Sequence, residues 1–133
     1  MPKHARALLD TSVIIDLDVL DASELPDEFA ISAMTLAELA AGPLATDDLA
    51  TRAVRQDRLQ RVEANIRTIP IDREAARAYG RVYAATLSAG RRTRSRLADH
   101  LIAATAIASN LPLYTRNPDD FADLSDLLEI VAI

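Results

Sequence analysis

Cysteine is absent from the 133 residues, which excludes disulfides and thiolate metal sites and is compatible with a reducing compartment. Glycine occurs three times, at Gly42, Gly80 and Gly90, and none stands in the Gly-Lys-Ser/Thr setting that a phosphate-cradling loop needs. Lysine is scarcer still: Lys3 stands alone, and every other strong cation is arginine. That counts against phosphoaspartyl enzymes and receiver domains, which need a lysine late in the chain, where Arg116 stands here. Long apolar runs are missing too. Asp10 interrupts the only one near the N-terminus, so no signal peptide is expected, and the run from Leu101 to Ala108 is far too short to span a membrane. A cytoplasmic protein with no membrane partner is the expectation. Positive charge is in the minority. The net charge of −5 argues against binding nucleic acid through the whole surface, while leaving room for a local basic patch.

What is present suits one domain, residues 1–133, with 50% apolar residues to build a core. Residues 5–9 are short, apolar and consistent with a buried strand of a parallel sheet. Asp10 stands where that strand ends, and Thr11 or Ser12 is placed to cap a helix carrying Val13, Ile14 and Ile15. A strand, a carboxylate and a helix start in succession put Asp10 at the carboxyl edge of a sheet, where open α/β sheets bind ligands. The same residue also reads as a simple turn cap.

Phe29 to Ser32 reads as a second strand, followed by an alanine-rich helix from Ser32 or Thr35 to Ala41, stopped by Gly42-Pro43. Glu38 is either the last member of a Thr35-x-x-Glu38 capping box or, if the helix starts at Ser32, a carboxylate on an Ala/Leu face. Asp47 to Ile66 is patterned as an amphipathic helix with Leu59, Val62 and Ile66 inward and its charges solvated. Thr68 to Ile71 suits an edge strand because of Pro70. Asp72 caps the next helix, whose expected buried stripe is Ala76, Tyr79, Val82, Tyr83, Thr86 and Leu87.

After Ala89-Gly90 comes the most basic stretch of an acidic chain, Arg91-Arg92-Thr93-Arg94-Ser95-Arg96. Arginine forks suit phosphate oxygens, so Arg91, Arg92, Arg94 and Arg96 form a candidate phosphate clamp as well as a plain solvated loop. The clamp leads into a helix from Leu97 to Ala108 that is apolar nearly all round and so expected to be buried, with Asp99 in its first turn. His100 reads as an ordinary helix-start residue rather than a ligand or base. Leu113 to Thr115 is another buried strand, followed by Arg116-Asn117-Pro118-Asp119-Asp120-Phe121, and Leu128 to Ile133 supplies the last strand. The alternation implies an α/β domain with a central parallel sheet flanked by helices.

Asp10 and Asp119 or Asp120 follow strands, while Glu38 and Asp99 sit early in helices. In a parallel sheet those places share one edge, so four carboxylates converge. A hard divalent cation relieves their mutual repulsion and suits metal-assisted phosphodiester hydrolysis. A Mg²⁺ phosphatase of another α/β fold would need the missing lysine and an Asp at position 12.

Four segments resemble the PIN-domain ribonucleases, in particular the VapC-type toxins of toxin–antitoxin pairs: Leu9-Asp10-Thr11-Ser12, Thr35-Leu36-Ala37-Glu38-Leu39, Asp99 to Ala106, and Tyr114 to Phe121. The resemblance covers nearly the whole chain. It implies acidic catalytic roles for Asp10, Glu38, Asp99 and Asp120, with Asp10 and Asp99 as metal ligands and Ser12, Thr115 and Asn117 in support. It further implies Mg²⁺ or Mn²⁺, an RNA substrate, a homodimer and a cognate VapB-type antitoxin; the arginine clamp and Arg116 are the residues expected to meet that RNA. The alternative within the same fold is a module that binds RNA or protein without cutting, for which four converging carboxylates have no use.

Overall fold

The computed structural model describes residues 4–91 and 96–133, so Arg92 and Arg94 of the basic stretch lie outside the described residues. Five strands, β1 (Arg6–Leu9), β2 (Glu28–Ser32), β3 (Arg67–Ile69), β4 (Leu113–Thr115) and β5 (Ile130–Ala132), form one parallel sheet in the order β3-β2-β1-β4-β5. The helices are α1 (Thr11–Ile15), α2 (Ala33–Ala41), α3 (Leu49–Asn65), α4 (Arg73–Ser88) and α5 (Leu97–Ala108). The chain steps outward from β1 to β2 and β3, then returns to place β4 on the other side of β1. Strand order therefore reverses between β1 and β4, and in such sheets a crevice opens outside the carboxyl ends at that point.

Burial on both faces explains the apolar strands. Leu8, Leu113, Ile102 and Phe121 belong to one core cluster, and Leu9, Ile31, Val13 and Tyr114 to another. Each fully buried side chain of this kind contributes about 1.5–3 kcal/mol. α5 is buried along Ile102, Ala103, Ala104, Thr105 and Ala106, as its composition predicts. Small alanines let it pack closely, and a buried hydrogen bond of 2.9 Å between Ser32 Oγ and Thr105 Oγ1 ties it to the end of β2. Both α4 and α5 end in the left-handed turn of a Schellman motif. Gly90 (φ 76°) and Asn110 (φ 54°) supply the positive φ, while Arg91 N–H donates to Thr86 O and Leu111 N–H to Ala106 O.

Two local expectations need correction, at α1 and α4, and the two alternatives for the start of α2 resolve to Ser32. The N-cap position of α1 is Asp10, not Thr11 or Ser12, and its carboxylate makes no capping bond. α2 is capped by Ser32, whose Oγ accepts from Met34 N–H at 3.1 Å, so Thr35 and Glu38 form no capping box. The inward face of α4 carries Ala75, Ala78, Val82 and Thr86, while Ala76, Tyr83 and Leu87 are exposed. Alanines on both sides of this helix make two faces equally apolar in pattern, and packing against α5 selects one. β3 is an edge strand, as Pro70 indicates.

Candidate active site

Asp10 leaves the end of β1 at the switch point and is only 4% exposed. A buried carboxylate needs donors, and two hydroxyls supply them. Ser12 Oγ donates to Asp10 Oδ2 at 2.7 Å and Thr115 Oγ1 donates to the same oxygen at 2.9 Å. Each hydroxyl in turn accepts a backbone N–H, Ser12 Oγ from Arg116 at 3.1 Å and Thr115 Oγ1 from Asn117 at 3.0 Å. The turn after β4 thus fixes the orientation of the carboxylate after β1. Oδ2 is satisfied, and among the described residues nothing donates to Oδ1. Asn117 takes part through its backbone, and its exposed side chain has no hydrogen bond among the described residues.

Glu38 is half-buried on α2, and its Oε1 accepts from Thr11 Oγ1 at 2.7 Å. Thr11 Oγ1 also lies 3.0 Å from Thr35 Oγ1. The sequence does not reveal Thr11 as the partner of Glu38, nor Thr35 as the partner of Thr11. Their spacing carries no sign of a pairing between α1 and α2.

Asp99 shows how these groups act on one another. Burial pushes its carboxyl up to about 6 from the ordinary 3.8, and the charges of Asp10, Asp120 and Glu38 add to the rise, with Arg96 opposing. All four acids therefore lie within electrostatic reach of one place. Of the adjacent pair after β4, Asp120 is the one whose charge acts on Asp99; both are exposed. The short 3-10 helix Pro118–Leu124 carries them, anchored by buried Phe121 and Leu124.

The donor set fits a hard divalent cation of one particular kind. Among the described residues no three acidic or histidine side chains close into a ready-made cage. An ion that takes one or two carboxylates directly and keeps its waters requires no such cage. Asp10, with Oδ1 uncommitted, and Asp99, its pKa raised by burial first and by the neighbouring carboxylates next, are carboxylates of the kind such an ion takes.

The basic candidates divide. Arg91 Nε pairs with Asp123 at 3.2 Å, and Arg96 donates to the backbone O of Asp120 at 3.1 Å, so both brace the segment around the acids. Arg116 Nε pairs with Asp16 at 3.3 Å. His100 points away from the cluster. It is buried between α4 and α5, with Nε2 3.2 Å from Thr86 Oγ1 and Nδ1 without a partner among the described residues. Desolvation lowers its pKa, Arg96 lowers it further, and Asp123 opposes. No helix of the described residues is long and apolar enough to cross a membrane.

The PIN domain family model matches residues 7–127. Ribonuclease VapC5 of Mycobacterium tuberculosis is 39% identical over 97% of this chain and 95% of its own length. Ribonuclease VapC8 of the same organism is 40% identical over 74% of this chain and 88% of its own. Among solved structures, the crystal structure of VapBC-5 from Mycobacterium tuberculosis, a member of the VapBC family of toxin–antitoxin systems, superposes with a TM-score of 0.85 at 40% identity, covering 97% of this chain and 99% of that one. The family match over most of the chain and the identity to a named relative together show that the chain belongs to the PIN-domain family.

Proposed function

We propose that the protein is a VapC-type toxin, a divalent-metal-dependent endoribonuclease that hydrolyses RNA phosphodiester bonds in the cytoplasm. The observation that carries this is its 39% identity to Ribonuclease VapC5 across 97% of the chain. The raised pKa of Asp99 among three other acids supports the metal-dependent part.

Asp10 and Asp99 hold Mg²⁺ in this reading, and Mn²⁺ is the natural substitute. A cation held there would supply polarisation of the scissile phosphate and acidification of a water. The remaining work falls to the chain. Ser12 and Thr115 hold Asp10 Oδ2 and leave Oδ1 uncommitted. Thr11 fixes one oxygen of Glu38, leaving the other to orient the attacking water and accept its proton. Asp120, whose charge reaches Asp99, would add negative charge near a bound ion. Asn117 serves through the backbone N–H that polarises Thr115. Arg92 and Arg94, with Arg91, Arg96 and Arg116, offset the acidic surface where the RNA backbone approaches.

A cognate VapB-type antitoxin is the protein partner, a reading supported by the 40% identity to the chain seen in VapBC-5. Two copies associate in this reading, with the exposed Tyr83 and Leu87 of α4 as apolar surface for the contact.

Incubating purified protein with a random-sequence RNA pool, with Mg²⁺ and with EDTA, tests the proposal. Cleavage should require the metal and fall to background in Asp10→Asn. Binding without cleavage under every condition would leave a non-catalytic module. Cleavage unaffected by EDTA would remove the metal from the mechanism.

A further inference from the structure

α3 is the most arginine-rich helix among the described elements, and its charges were expected to be solvated. Most of these arginines are accounted for. Arg52 donates to Pro43 O and Thr46 O, Arg55 to Gly42 O, and Arg61 pairs with Asp57 and Asp18. Arg58 differs. It is half-buried, yet among the described residues it makes no hydrogen bond or ion pair.

Its position gives this meaning. Arg58 lines a groove of about 450 Å³ whose wall includes Thr11 and Glu38 of the acidic site together with Ile15, Leu39 and Val54. Ile15 is 50% exposed and Val54 58% exposed, which leaves apolar surface beside the acids uncovered. Arg58 also lines a second, more apolar cavity of about 260 Å³ between α1 and α3, and so stands at the junction of the two. A half-buried guanidinium without a carboxylate has a fork of donors waiting for an anion. An apolar wall beside it accepts a flat, weakly polar body.

We infer that this groove is a nucleotide subsite of the RNA substrate, in which Arg58 holds the phosphate next to the scissile one and the base lies against Ile15 and Val54. The inference rests on the ribonuclease reading. The groove is continuous with Glu38, so an occupant linked to the reacting phosphate need only be its neighbour in the same strand. Size agrees, because 450 Å³ lies in the range of small-molecule sites and holds one nucleotide rather than a duplex. The two contacts have separable consequences. Arg58 supplies affinity without reading sequence, and the apolar wall supplies a preference for the base beside the cut.

The test uses the full-length protein and a random-sequence RNA pool, with cleavage products sequenced and KM and kcat measured at several salt concentrations. Arg58→Gln should raise KM about tenfold and change kcat less than threefold. It should also lower the slope of log affinity against log salt by about 0.7, the value for one phosphate contact on a single strand. Arg58→Lys should restore the slope, because a point charge suffices for counterion release. Val54→Ser, on the exposed helix surface, should relax the base preference at one position beside the cut and leave the slope unchanged. Arg81→Gln, exposed on α4 away from the groove, should match the parent throughout.

A folded Arg58→Gln variant with the parent's KM, slope and cleavage pattern overturns the inference while the nuclease reading stands. So does normal RNA handling with loss of the antitoxin complex, which would assign Arg58 to a protein interface. A parent that neither binds nor cuts RNA overturns the ribonuclease reading and the subsite with it.

Discussion

Replacing Asp99 by Asn distinguishes a carboxylate held among like charges from one that merely begins a helix. Burial, Asp10, Asp120 and Glu38 raise its carboxyl from 3.8 to about 6. That distance corresponds to about 3 kcal/mol between the two protonation states. Asp99 is only half-buried, so solvent screening leaves roughly 1–1.5 kcal/mol of it as a stability penalty. Against this, removing an anion from the first turn of α5 costs about 0.3–1 kcal/mol. Asp99→Asn without metal should therefore equal or exceed the parent's stability at pH 7.5, by up to about 1 kcal/mol. Its sign follows from proton uptake. A carboxyl whose folded pKa is raised binds more protons when folded between 3.8 and about 6, so the parent loses stability as pH rises through that window, and the penalty is complete above it. The variant lacks this loss, so its advantage should grow from about pH 4 to about pH 6 and stay level beyond. Urea melts of both proteins in EDTA at pH 4, 5.5 and 7.5, repeated with excess Mg²⁺, measure it. The parent should gain stability from Mg²⁺ and the variant much less, since a ligand stabilises only the state that binds it. A variant that melts well below the parent in EDTA at pH 7.5 and gains as much from Mg²⁺ refutes the clustered-acid argument.

Thr115→Val removes one of the two donors to Asp10 Oδ2 with little change in volume; apparent Mg²⁺ affinity in the cleavage assay should fall about 10–100-fold while the fold persists by circular dichroism. His100 is buried with its pKa lowered, by desolvation first, so the parent should lose stability relative to His100→Gln as pH falls below 6.5 through the folded value, a trend opposite in sign to that of Asp99 and readable in the same urea melts. The double change Arg92→Ser, Arg94→Ser should weaken RNA binding and lower the salt slope by about 1.4 if both meet phosphates of a single strand; an unchanged slope in fluorescence anisotropy returns both to plain solvation.

The parts legible in the sequence are those where local pattern and tertiary demand agree. An apolar run, an acid and a helix start at Asp10 specify a strand end at a sheet edge whatever the rest of the chain does. The same logic placed Asp99 in the first turn of a helix too apolar to lie on the surface. Glu38 was ambiguous because Ser32 and Thr35 are both good caps; the choice depends on Ser32 ending β2, a sheet-pairing fact. Tyr83 and Leu87 mislead about the buried face of α4, since they are exposed and alanine carries little information about facing. His100 was read as a helix-start residue, but its burial is decided by Thr86 and Tyr79 across the interface between α4 and α5. Arg58 had no local mark at all: among several arginines of one helix, only the surrounding groove singles it out.

α1 is five residues long, too short to hold its shape alone. Yet two consecutive side chains of this one turn grip different acids, Thr11 holding Glu38 and Ser12 holding Asp10. The two halves of the site are therefore geared to a single small part. A displacement of α1 would disturb a partner of each carboxylate at once, although Thr115 would still hold Asp10. Val13 and Ile14, buried beneath, seat that part against the core. Pressure on its outer face, where Ile15 is exposed, would be felt at both acids together.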